Sequence, residues 1–262
     1  MSCRLIFAAA LIASCAASAA DGVSVGAPSA LRNLVPAAQL EQQSASQYAQ
    51  MLQQASLQHA LATDSNRQLI RLRRIASRII AHADRFNPAA RNWQWRINLI
   101  RSTQLNAFCM PGGKIAVYSG LIDELRLTDD EIAIVLSHEI AHALREHARS
   151  RIAKGELTQI GASLLGQKFG DGRYSGLFQA GGSLLTLKFS RSDETDADLV
   201  GLELAARAGF DPRAGITLWR KMTQANRNAP PQWLSTHPSG ANREEQIRRH
   251  LPEVLTLYQA SR

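Results

Sequence analysis

Apolar residues recur along the chain at two periods, and the period assigns most of the elements. Ile132, Val135, Leu136, Ile140 and Leu144 follow helical spacing. Thr128, Asp129, Asp130 and Glu131 stand just upstream. A Thr with a Glu three residues later reads as a capping box, which satisfies two free amides at a helix start. Leu69, Leu72, Ile75, Ile79 and Ile80, with Arg67, Arg71, Arg73, Arg74 and Arg78 around them, predict a second helix over 66–83. Leu199, Leu202, Leu204 and Ala205 predict a third, with Ser192 as its cap and Gly209 to Pro212 as its stop. Ile115 to Tyr118 alternates as a strand does, and Pro111, Gly112 and Gly113 before it form a turn signal. Strand signals cluster between Trp93 and Val117, and the rest reads as helix. The expected class is therefore α+β, mostly helical with a small sheet or hairpin.

The first twenty residues have a different texture. Arg4 precedes a short apolar run from Leu5 to Ala13, and small residues follow, the pattern of an export signal over 1–20. Ile12, Ala13 and Ser14 before Cys15 are similar to a bacterial lipobox, which would make Cys15 a lipidated first residue. Cleavage near Ser18, Ala19 and Ala20 is the competing reading. Ala16, not Asp, follows Cys15, which points to an outer-membrane anchor facing the periplasm. Residues 21–36, rich in Ala, Ser, Gly and Pro, read as a flexible tether. Residues 37–64 read as a polar helical extension, and 65–258 as the main domain. No later stretch reaches the roughly eighteen apolar residues of a membrane span.

Charge changes the picture little. Thirty Lys and Arg against 22 Asp and Glu give a net charge of +8. Nucleic acid is excluded as a partner by the export signal and by the lack of aromatic interleaving. The Arg67 to Arg78 face suits an anionic envelope surface or simply solubilises its helix. Of three cysteines, Cys3 and Cys15 belong to the N-terminal segment, so Cys109 remains as a packing residue and no disulfide is expected within the domain.

The candidate chemistry sits in the first helix. His138 and His142 are four apart, so both imidazoles project from one face and reach a single tetrahedral zinc. Glu139 lies beside them, placed to take a proton from an activated water. A third protein ligand is needed. His147, five residues past His142, reads as an exposed helix residue: the extended motif would need Gly at 145 and His at 148, where the chain has Arg145 and Ala148. Glu194 and Asp198 share one helix face. Glu194 can complete a His₂Glu set, and Asp198 can accept the far ring N–H of a ligand His. Asp193 and Asp196 read as complements to the helix dipole.

With these segments assembled, the chain resembles the M48 family of zinc metallopeptidases, in its small bacterial periplasmic or lipoprotein form. The resemblance rests on Asn106 to Ile122, His138 to His142, Ser190 to Asp198, and Thr236, His237 and Pro238 with Arg243. It implies a zincin-like domain with one Zn²⁺ on His138, His142 and Glu194, Glu139 as general base and Asp198 behind the ligands. The chain departs from the integral-membrane members in lacking their apolar spans.

Other positions take roles within that frame. A strand edge beside the cleft can hold an extended peptide by main-chain hydrogen bonds. Asn106 and Arg243 are candidate substrate-binding residues, Asn106 by orienting that edge or binding backbone, Arg243 by supporting the site or a carboxylate in it. His237 reads as a loop residue that either stabilises the oxyanion or occupies a fourth ligand position in a closed state. Residues 155–189, with Gly alternating with Leu and Phe, read as a cleft-covering segment or a loose helix pair. Lys168, Asp171 and Arg173 argue against a span there. The expected function is a zinc-dependent endopeptidase of the cell envelope acting on protein substrates. The alternative is a zinc-stabilised quality-control binder with latent proteolysis. The sequence sets no oligomeric state.

Overall fold

The computed structural model describes residues 22–164, 184–228, 231–238 and 243–262. In chain order its elements are α1 (Ala37–Leu57), α2 (Arg67–Ile80), β1 (Arg96–Ile100), β2 (Ala107–Met110), β3 (Lys114–Tyr118), α3 (Ser119–Glu124), α4 (Asp129–Leu144), α5 (His147–Leu164), α6 (Arg191–Arg207), α7 (Ala214–Asn228), α8 (Gln232–Thr236) and α9 (Arg243–Ala260). The class is α+β, as the periodicity indicates.

Helix α4 begins where the capping box places it. The Thr128 hydroxyl accepts from Glu131 N at 3.2 Å, and Glu131 Oε2 accepts from Thr128 N at 2.9 Å. From Glu131 to Leu144 every residue of α4 is buried, so it runs through the middle of the domain. Helix α6 crosses it closely. A Cβ on Gly201 would meet His138 N at 3.0 Å and His138 Cα at 3.1 Å, so glycine permits the approach. The cap of α6 is Ser190, not Ser192. Ser190 and Asp193 form the capping box, which gives Asp193 a specific role beyond the dipole.

The sheet has the order β1-β3-β2, with β1 parallel and β2 antiparallel to β3. Pro111, Gly112 and Gly113 make the β2–β3 turn. Gly113 has φ +76°, and a Cβ there would strike the Trp95 ring at 2.6 Å. The expected one-sided alternation of β3 is corrected: Lys114 to Val117 are all buried. Ile115 and Val117 face the main core, while Ala116 faces a second cluster with Tyr48, Ala55 and Met110. Helix α1 supplies that second cover. The Tyr48 hydroxyl donates to the Ile115 carbonyl at 2.5 Å, and Trp93 Nε1 donates to Glu41 at 3.1 Å. Residues 37–64 thus form one face of the sheet's packing and are not an appendage. With β3 central, β2 is an edge strand.

Residues 22–36 are not a free tether. Val23 N donates to Glu203 Oε2 at 2.6 Å, and Val35 is 1% exposed against Leu40, Ile152 and Ala153. Arg32 pairs with Glu146 at 2.9 Å, and Arg149 donates to the Val35 carbonyl. The strand of chain is strapped along the body. The export signal with Cys15, and Lys168, Asp171 and Arg173 within 155–189, lie outside the described residues. Among the described residues no helix is long and apolar enough to cross a membrane.

Candidate metal centre

Two helices and a short turn bring four donors to one point. His138 and His142 project from α4, Glu194 from the first turn of α6, and His237 caps the C-terminus of α8. One ligand atom from each lies within 4.8 Å of all the others, and all four side chains are buried. His142 Nε2 is 3.0 Å from His138 Nε2, and His237 Nδ1 is 3.3 Å from the same atom. Glu194 Oε1 is 3.0 Å from His237 Nδ1 and 3.4 Å from His142 Nε2. A tetrahedral zinc with ligands at about 2.0–2.1 Å needs its donors about 3.3 Å apart. The residues present therefore fit the ion in both chemistry and spacing.

The buried donors shift one another's protonation. Burial alone would lower the pKa of His138, but Asp198 and Glu194 beside it raise it to about 9. Burial drives His142 well below its ordinary value. Burial would raise Glu194, but His138, His142 and His237 together hold its carboxyl far below the usual range. Asp198 is likewise held low, with Arg243 and His138 outweighing burial.

Behind the donors stands an ordered outer layer. Asp198 Oδ1 lies 3.1 Å from His138 Nδ1, which leaves Nε2 for the metal. Arg243 clamps both carboxylates: Nε donates to Asp198 Oδ2 at 2.7 Å and Nη1 to Glu194 Oε2 at 2.7 Å. Its guanidinium also lies 3.7 Å over the Trp219 ring. Arg243 is 6% exposed and its donors are turned to the ligand set, so it supports carboxylates of the site. Glu139 is buried beside the donors, where Trp233 Nε1 donates to its Oε1 at 2.5 Å. His237 Nε2 lies 3.6 Å from the same oxygen.

His237 is not a solvated loop residue. It is 2% exposed and stacks on Trp233 with ring centroids 4.8 Å apart. His147 is not an exposed helix residue either. Its Nδ1 lies 2.9 Å from His142 Nδ1, and its Nε2 lies 3.0 Å from Asp196 Oδ2. Asp196, expected only to complement a dipole, also accepts from Arg145 Nε at 2.6 Å. Trp233, Phe189 and Arg145 carry no sequence signal that separates them from core or surface residues. Phe189 stacks on His142 at 4.0 Å.

The cleft beside the donors is lined by Asn106 and strand β2, by Glu139, and by Leu184 to Phe189. The Asn106 carbonyl accepts from Tyr118 N at 3.0 Å, which starts the β2–β3 pairing. Asn106 thus stands at the head of the edge strand. Cys109 is half-buried in that strand, and burial pushes its thiol well up, as suits packing.

Residues 66–251 match the model of Peptidase family M48. The chain is 36% identical over 169 residues to the mitochondrial metalloendopeptidase OMA1 of Arabidopsis thaliana, covering 63% of this chain and 33% of that protein. It is 29% identical over 197 residues to the beta-barrel assembly-enhancing protease of Yersinia pestis, covering 67% and 39% respectively. It is 31% identical over 147 residues to the metalloprotease LoiP of Escherichia coli (strain K12), covering 55% and 58%. Among the OMA1 proteins matched, the alignment spans a third to a half of the relative's length.

Proposed function

The chain belongs to peptidase family M48, and from that premise we propose that it is a zinc-dependent endopeptidase of the bacterial cell envelope, acting on unfolded or misassembled proteins. The observation that carries the reading is the set of four buried donors with the Glu139 carboxylate beside it. Zinc, when bound, supplies Lewis-acid polarisation of water and of the scissile carbonyl. His138, His142 and Glu194 would hold the ion. Glu139 takes a proton from the attacking water and passes it to the leaving amine. The Trp233 N–H fixes the Glu139 carboxylate in place for both transfers. The edge strand β2, beside the cleft, can pair with an extended backbone whatever its side chains, which suits unfolded substrates. Asn106, at the head of that edge, is the candidate to orient it.

His237 has two roles open to it. Its Nδ1 stands among the donors, from where it would complete the set in a resting state. Swung aside, it can donate to the oxyanion of the tetrahedral intermediate. Closed four-donor sites are typical of structural zinc, and this favours latent proteolysis, or a quality-control binder, as the second reading.

The test is a mass-spectrometric map of cleavages in denatured envelope proteins. Glu139→Gln should keep about one zinc per chain and lose ~10² to 10⁴ in rate, as removal of a general base does. Equal cleavage by both forms would sink the enzymatic reading. Export, supported by the N-terminal pattern and by the kinship with a bacterial protease of beta-barrel assembly, and an outer-membrane anchor at Cys15, supported by the pattern before Cys15, are the expected address. Cys15→Ser should move the protein to the soluble periplasmic fraction or stall it uncleaved. A wild-type mature N-terminus at Ala20 or Asp21 would remove the anchor and leave the peptidase reading intact.

A further inference from the structure

Each ligand histidine of α4 needs a partner for its second ring nitrogen, and the two are served differently. His138 has a carboxylate directly, at Asp198. His142 has another imidazole. We infer that His147 is a positioning residue for the metal centre, holding His142 in the tautomer and orientation that present Nε2 to zinc. The inference rests on reading the cluster as a zinc site.

The protons can be assigned from the partners. Asp196 is a carboxylate that accepts from Arg145, so the His147 nitrogen 3.0 Å away, Nε2, carries the hydrogen. In a neutral imidazole the other nitrogen is then an acceptor, and His147 Nδ1 is the atom 2.9 Å from His142 Nδ1. His142 Nδ1 therefore donates, and its Nε2 keeps a lone pair directed at His138, Glu194 and the metal position. The chain runs Arg145, Asp196, His147, His142, each with one orientation. Both ends are anchored. Arg145 is 6% exposed and also donates to the Gly26 carbonyl of the N-terminal strap, while Phe189 stacks on the face of His142.

Backbone geometry puts His147 there. Helix α4 ends at Leu144, and Glu146 takes φ +54°, a left-handed conformation for a residue with a side chain. That break turns the chain so that the first residue of α5 points back at His142. Salt bridges from Arg32 at 2.9 Å and Arg149 at 2.7 Å hold Glu146 in place. A continuous helix would put position 147 five residues from 142, roughly 140° round from it and on another face.

The experiment measures zinc affinity of the full-length protein by competition with a chromophoric chelator, alongside the melting temperature of the metal-free form. His147→Leu and His147→Phe keep apolar bulk and lose the acceptor; His147→Asn keeps a carbonyl oxygen near the place of Nδ1. Loss of a partner of this kind costs about 10- to 100-fold in metal affinity. We expect that loss for Leu and for Phe, and recovery to within about three-fold of wild type for Asn. The His142 Nδ1 proton should be slow to exchange by NMR in wild type and in the Asn variant only. Leu and Phe variants that bind zinc as tightly as wild type, with only the melting temperature lowered, would overturn the positioning role and leave the zinc centre standing. An Asn variant as weak as Leu would overturn the acceptor assignment. Wild-type protein that takes up no zinc would overturn the centre itself, and the inference with it. Should Leu fail to fold, the Phe and Asn pair carries the comparison.

Discussion

His237 carries the most informative single substitution. It stacks on Trp233 and reaches the donors through Nδ1, so its removal separates the two roles proposed for it. If it closes the resting site, His237→Ala should raise basal proteolysis of a casein-type unfolded substrate, because a coordination position is freed. If it serves the oxyanion, the same change should lower kcat by ~10² to 10³ with little change in zinc affinity. Unchanged kinetics would remove both roles. His138, Glu139 and His142 are legible in sequence because a spacing of four has one meaning on a helix. His147 is not, because its meaning depends on a helix break that Glu146 makes without a glycine. The same limit hides Trp233. Its indole lies one turn before His237, but a lone Trp in an unmatched stretch has no pattern to mark it as a partner of Glu139.

At the level of elements, α4 is positioned by a cap that also titrates. Burial would raise the pKa of Glu131, but Lys221 at 2.7 Å, the Thr128 amide and the Thr217 hydroxyl bring it below its ordinary 4.5. A carboxyl lowered by folding contributes stability that is present above its unfolded pKa and is lost as pH falls through the folded value. Lys221→Met should therefore lower the melting temperature near pH 7, and the gap to wild type should shrink as pH falls through the lowered Glu131 value. Melts at pH 7 and pH 3 check this, and a constant gap would remove Glu131 from the account. The cap itself is readable because Thr128 and Glu131 are both present. The cap of α6 is misplaced by two residues in sequence because Ser190 and Ser192 are equally good candidates and only Ser190 has Asp193 at the third position. Strand β3 is buried on both faces, because α1 covers the face that alternation would leave to solvent. One chain segment cannot report that another will lie over it.

Across the whole molecule, the strap from Gly22 to Pro36 is the largest departure from what composition suggests. Small residues signal flexibility, but a buried Glu203 that also holds Arg85 at 2.5 Å and Arg207 at 2.7 Å fixes the start of the strap at Val23. The partners lie 180 residues apart in sequence, which no local pattern encodes. The metal donors are separated in the same way, with 99 residues between His138 and His237 and 43 between Glu194 and His237. Stripping zinc with a chelator should lower the melting temperature. Restoring it at 100 times its Kd should return about 2.7 kcal/mol, read from melts across a zinc titration. A melting temperature indifferent to zinc would separate the site from the fold. That dependence gives the centre a second character. Cys109 has no cysteine partner among the described residues, and a zinc ion on His138, His142, Glu194 and His237 would tie together stretches far apart in sequence. It acts as a removable crosslink over a loop of the length at which a disulfide would contribute about 4.7 kcal/mol. Loss of zinc would thus weaken the hold between α4, α6 and α8 along with removing the Lewis acid, so that metal starvation would lower stability and activity together.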